Sequence, residues 1–99
     1  MTQQKTIELK FRFKAIREIL KVYNIELSEL DKVVADFARV DELALIGNKH
    51  AGGSLTLDEI ANMIDEDASL IKYVMTEFQE QALKYLSDPN EKSQLPLSN

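Results

Sequence analysis

Residues 6 to 13 read Thr-Ile-Glu-Leu-Lys-Phe-Arg-Phe, and nothing else in the 99-residue chain looks able to pair with them. Apolar Ile7, Leu9, Phe11 and Phe13 alternate with Thr6, Glu8, Lys10 and Arg12, the period-two pattern of a β-strand with one buried face. A strand has to satisfy its backbone N–H and C=O groups, normally through a neighbouring strand. No second run in the sequence alternates in this way. The strand is therefore expected to pair with a copy of itself, to pair with another protein, or to lie along helices with one edge in water. Two of these outcomes would make its edge a binding surface by strand addition.

From Phe13 onward the period becomes helical. Ile16, Ile19, Leu20 and Tyr23 form one stripe, and this first helix is expected to end near Asn24. Ser28 reads as the N-cap of a second helix, with Asp31 three residues on. That helix would turn Leu30, Val33, Val34, Phe37, Val40 or Ala44, and Leu45 inward and stop near Gly47 or Asn48. Residues 47 to 54 then read as the most flexible internal stretch. Thr56 and Glu59 form a full capping box, and Leu55 and Ile60 occupy the positions of a hydrophobic staple. They open a short helix with Leu57, Ile60, Ala61 and Ile64 inward. Asp65, Glu66 and Asp67 interrupt it, and Asp67 is placed to cap a last helix carrying Ile71, Val74, Met75, Phe78, Ala82, Tyr85 and Leu86. Ser87, Asp88 and Pro89 are expected to end it. The predicted fold is mainly α, with about four amphipathic helices behind the strand at 6 to 13. It forms a single domain over residues 1 to 87, followed by a loose tail over 88 to 99.

The composition, 44% hydrophobic and 29% charged, is that of a globular protein. Twelve basic residues face 17 acidic ones, a net charge of −5 that disfavours phosphate-backbone binding. The basic residues gather early: Lys5, Lys10, Arg12, Lys14, Arg17 and Lys21. Without cysteine there is no thiolate or disulfide chemistry, and the apolar runs are too short for a membrane helix. No secretory signal pattern opens the chain, so the expected location is intracellular.

Catalytic constellations are missing from the pattern. The one histidine, His50, sits in the predicted loop and reads as a solvated side chain. An EF-hand loop begun at Asp65 would put Leu70 where glycine is required and Thr76 where the bidentate glutamate belongs. No phosphate loop or nucleophile elbow is present. No catalytic, metal or cofactor residue is therefore assigned, and the chain is expected not to be an enzyme. Residues 55 to 75 have the spacing of a helix-turn-helix, including Ala61 at the tight packing position. The candidate reading helix, however, carries Asp67, Ser69, Lys72 and Glu77, a poor set for bases and phosphates. A small transcriptional regulator built on that turn, or a generic interaction adaptor, is therefore the alternative function and not the leading one.

The order of elements resembles the phage tail assembly chaperones in their short, unframeshifted form. The resemblance rests on the opening strand leading into Phe-Lys-Ala-Ile-Arg-Glu-Ile (13 to 19) and on Tyr-Asn-Ile-Glu-Leu-Ser-Glu-Leu (23 to 30). It continues through Leu-Ala-Leu-Ile-Gly-Asn-Lys-His (43 to 50) and Leu-Thr-Leu-Asp-Glu-Ile-Ala-Asn-Met-Ile-Asp (55 to 65). It covers about residues 5 to 86 and consists of hydrophobic patterns and caps, with Asn24 standing where such sequences often have glycine. What the resemblance implies is a protein of the bacterial host cytoplasm, not carried in the mature virion. It would bind the tape measure protein, keep it soluble and help recruit tail tube protein. A homo-oligomer is expected, with no nucleic acid, membrane or small-molecule substrate as partner. The candidate residues for partner binding or oligomer contact are Ile7, Leu9, Phe11, Phe13, Leu43 and Ile46.

Overall fold

A computed structural model describes residues 7–86 of the chain. Thr6 of the predicted strand and the predicted tail over 88 to 99 lie outside these described residues. The described chain is mainly helical: α1 (Phe13–Tyr23), α2 (Asp31–Ala35), α3 (Val40–His50), α4 (Leu57–Glu66), α5 (Ser69–Phe78) and α6 (Lys84–Leu86). Single 3₁₀ turns at Leu27–Glu29 and Phe37–Arg39 flank α2, and a π-helical turn at Gln79–Leu83 joins α5 to α6. α3 is the central element and packs against α1, α4 and α5.

The expected strand is corrected: among the described residues none is in a β-strand. Residues 7 to 12 form an extended arm laid along helices, and its backbone shows why no partner strand is needed. The N–H of Lys10 donates to the carbonyl of Gly47 at 3.0 Å, and the Asn48 side-chain amide donates to the carbonyl of Glu8 at 3.0 Å. Both of these partners belong to α3. The alternate groups meet α5 and the π-helical turn that follows it. Tyr73 Oη donates to the carbonyl of Ile7 at 3.1 Å. The Gln81 amide then closes on the flanks of Lys10: its Oε1 accepts from the N–H of Phe11 at 2.9 Å and its Nε2 donates to the carbonyl of Leu9 at 3.2 Å. A side-chain amide thus does for residues 9 and 11 what a neighbouring strand would do.

The period-two pattern had the same physical content as in a strand, with a helical partner. Ile7 and Phe11 are completely buried, and Phe11 meets Phe78 edge to face at 5.3 Å between ring centroids. That geometry adds about 0.5–1.5 kcal/mol beyond area burial. Phe13 breaks the pattern, because the helix begins there and turns its ring outward.

The arm can lie this close because α3 offers glycine beneath it. A Cβ on Gly47 would stand 2.5 Å from Phe11 Cζ and 2.9 Å from Leu9 Cδ2. Gly47 is therefore an interior helix residue and not the expected stop; α3 continues to His50. Its neighbour Asn48, also expected at the helix end, is a buried polar residue whose Oδ1 accepts from the N–H of Leu55 at 3.1 Å.

Other boundaries follow local caps. Asn24, in the left-handed region at φ 57°, closes α1, with Ile25 N–H returning to the Leu20 carbonyl at 3.0 Å and Asn24 N–H to Lys21. This is a Schellman closure, which asparagine tolerates better than most residues. Ser28 is not an N-cap: it lies inside a 3₁₀ turn, where Glu29 Oε1 accepts from the N–H of Glu26 at 2.9 Å. The single predicted helix over residues 28 to 47 is broken at Asp36, and as a result Phe37, expected inward, is 60% exposed. Leu57 is also exposed, while Ile60 is buried. The capping box forms as read: Glu59 N–H donates to Thr56 Oγ1 at 3.1 Å and Thr56 N–H to Glu59 Oε1 at 2.8 Å. Asp67 Oδ1 accepts from the N–H of Ser69 at 3.1 Å at the start of α5.

Replacing Gly47 with alanine sets two effects against each other. Alanine gains about 1 kcal/mol of helix propensity, but overpacking a buried contact costs about 1–3 kcal/mol. A Cβ at 2.5 Å from a fully buried ring puts Gly47→Ala at the upper end of that cost. The expected result is a net loss of about 1–2 kcal/mol in urea unfolding; an unchanged or raised midpoint would show that the arm gives way freely.

Candidate protein-binding surface

The residues nominated from sequence fall into two groups. Ile7, Phe11 and Leu43 are fully buried and Ile46 nearly so, which places them in the core and out of a partner's reach in this arrangement. Leu9 is half-buried beside Gly47. Phe13 is 57% exposed, with the Arg17 guanidinium 5.4 Å from its ring centroid.

Other large apolar side chains are also left out of the core. Val22, Leu27 and Phe37 are all exposed, and they come from the end of α1 and the two 3₁₀ turns. One stacked pair ties this end of the molecule together. The Arg39 guanidinium lies 4.2 Å over the Tyr23 ring. Its Nη2 donates to Glu42 Oε1 at 2.7 Å and to the Val22 carbonyl at 3.4 Å. Tyr23 Oη in turn donates to the Arg39 carbonyl at 3.3 Å. Burial pushes the Tyr23 phenol up to about 12, against the opposing pull of the Arg39 charge. The stack thus joins the stretches of chain that carry Val22, next to Tyr23, and Phe37, two residues before Arg39.

No family model matches this chain, and neither curated proteins nor solved structures give a match.

Glu18 of α1 is bonded to two residues at the end of α3. His50 is not a solvated loop residue: it ends α3 half-buried, with Nε2 2.9 Å from Glu18 Oε1. Lys49 Nζ donates to the other carboxylate oxygen of Glu18 at 2.7 Å. Among the described residues there is no group of three or more His, Cys, Asp or Glu side chains placed to hold a metal. None of their helices is long and apolar enough to cross a membrane. α4 and α5 are separated by two residues, Asp67 and Ala68. The exposed charges there are Asp65, Glu66, Asp67 and Lys72.

Sequence reasoning missed Asn48, Tyr73 and Gln81 as the groups that read the arm's backbone. Gln81 lies one position outside the apolar stripe, and only its neighbour Ala82 carried a signal. The break at Asp36, which exposes Phe37, was also missed, since the apolar spacing runs through it unaltered.

Glu18 gives the junction of α1 and α3 an acid dependence. Its carboxyl is held below the usual value of 4.5, first by the Lys49 hydrogen bond and then by that from His50. A carboxylate depressed in the folded state contributes stability above its unfolded value and loses it as pH falls through the folded one. Glu18→Gln should therefore cost a few tenths of a kcal/mol at neutral pH. It should also flatten the stability loss below about pH 4.5. Urea midpoints measured from pH 3 to 7 would read this; parallel curves for the two proteins would contradict it.

Proposed function

We propose that this chain is a protein-binding module of the tail assembly chaperone kind, with no catalytic site of its own. It binds an amphipathic helical stretch of a tape measure protein, keeps that protein soluble in the host cytoplasm, and helps bring tail tube subunits to it. The observation that carries the reading is the exposure of Val22, Leu27 and Phe37, on the chain segments that adjoin the Tyr23–Arg39 stack. An aromatic residue at 60% exposure is costly to leave in water, and an exposed apolar surface is what the apolar face of an amphipathic helix docks on. The net charge of −5 keeps the free protein soluble while such a surface waits for its partner.

The arm changes how binding is expected to happen. Five of its backbone groups are engaged by α3, α5 and the π-helical turn, which argues for docking by side chains over strand addition.

Phe37→Asp and Leu27→Asp change exposed positions, so folding stability should move by no more than about 0.5 kcal/mol. Co-expressed with a phage tape measure protein, each variant should leave more of that partner insoluble and weaken the complex by about tenfold or more. Undiminished binding with the fold intact would overturn this surface. Flanking genes for metabolism, in place of tail tube and tape measure genes, would overturn the chaperone reading itself.

A further inference from the structure

At the junction of the arm and α1 the molecule opens a pocket of about 430 Å³ lined by Lys10, Arg12, Phe13, Lys14, Ala15 and His50. The side chains of Lys10, Arg12 and Lys14 are all exposed. Among the described residues none of the three is in an ion pair, although Lys32, Arg39 and Lys49 all are. Glu18, the carboxylate bonded to His50, already has its charge shared with Lys49 and that histidine. A protein with net charge −5 thus concentrates uncompensated positive charge in one concavity.

The charges also stand where the fold least favours them. α1 starts with Arg12 at the N-cap, without a side-chain cap and without an acidic residue in its first turn. A helix N-terminus carries the positive end of the macrodipole, so basic residues there oppose helix formation. The same site would accept serine or aspartate at the cap with a gain in stability. Local propensity and observed sequence therefore disagree, in the pocket and nowhere else along α1. Disagreement of this kind is what a binding site imposes on a fold.

We propose that this pocket receives the carboxylates of an acidic segment of a protein partner, an assignment that rests on the protein-binding reading above. Three cations and the free N–H groups of the first helical turn meet the carboxylates, and the exposed Phe13 ring takes an apolar neighbour in the same segment. An extended nucleic acid would gain the same contacts, but the net charge of −5 disfavours a long polyanion overall.

The probe is a short fluorescent Glu-rich peptide carrying one leucine, titrated into the full chain with polarisation and amide NMR as readouts. The peptide should shift the amide resonances of Phe13, Lys14 and Ala15. Arg12→Asp and Lys14→Glu should weaken it by about tenfold or more, while raising the melting temperature, because both complement the helix end. Lys72→Glu, the same charge change outside the pocket, should leave affinity within about twofold. Affinity unaltered by Arg12→Asp and Lys14→Glu would overturn the proposal, as would equal loss in Lys72→Glu. Tighter binding of an oligothymidylate or of inorganic phosphate than of the peptide would overturn it as well. Such a failure would leave the apolar surface standing, since Phe37→Asp tests that surface on a different partner contact.

Discussion

An extended segment cannot be buried beside helices unless something takes up its backbone polar groups, and that requirement organises this molecule. The arm over residues 7 to 12 presents carbonyls at Ile7, Glu8 and Leu9 and N–H groups at Lys10 and Phe11. Each unsatisfied group would cost about 1–3 kcal/mol once buried. Five engaged groups are therefore comparable in free energy with the whole net stability of a small domain, about 5–15 kcal/mol. Tyr73, Asn48, Gln81 and the Gly47 carbonyl are consequently the residues on which the fold depends. They hold the arm in place, and the arm then delivers Ile7 and Phe11 to a core that a chain of this size could otherwise fill only partly.

The satisfaction is closely specified. Gln81 uses both amide hydrogens, one on the Leu9 carbonyl and one on Glu77 Oε1 at 2.8 Å, which fixes the orientation that lets its oxygen face Phe11. It does so from the π-helical turn, a rare local structure that is commonly retained where a helix has to present a side chain for a purpose. Asn48 is similarly committed on two sides, to Glu8 and to Leu55. Gly53 fits against that amide only because it has no side chain, since a Cβ there would collide with Asn48 Nδ2. A polar side chain buried with both ends bonded rigidifies its surroundings, whereas one bonded at one end weakens them.

What could be read in the sequence was what depends on neighbours along the chain. The capping box at Thr56 and Glu59, the closure at Asn24 and the stripe of Val74, Met75 and Phe78 all rest on spacings of three to five residues, and all are present. The alternation of residues 7 to 11 also reported correctly that Ile7 and Phe11 are buried and Lys10 exposed. It could not report what lies on the other side, because a helix surface with a glycine and two amides serves an extended chain as well as a strand does. The partners are 40 to 72 residues away, at Asn48 and Gln81, and a lone Asn or Gln carries no periodic signal. The same limit hid Phe37: its spacing from Val33 and Val40 suits a continuous helix, while the break at Asp36 is a tertiary outcome.

Engagement of the arm within the chain moves the binding question from the arm to the helix ends. If the arm had been a free edge, its polar groups would have defined the partner, and the helices would have been scaffold. With those groups taken up internally, the free surfaces are the ones local rules leave unsatisfied: an aromatic residue stranded by a helix break, and cations crowded on an uncapped helix start. Both features lower the stability of the isolated molecule slightly, and neither is required by the arm or by the core packed around α3. A fold that commits buried amides to hold a short arm, yet leaves Phe37 in water and the start of α1 without a cap, is well satisfied inside and poorly satisfied at two places outside. On the readings proposed above, those two places are where a partner would contribute free energy.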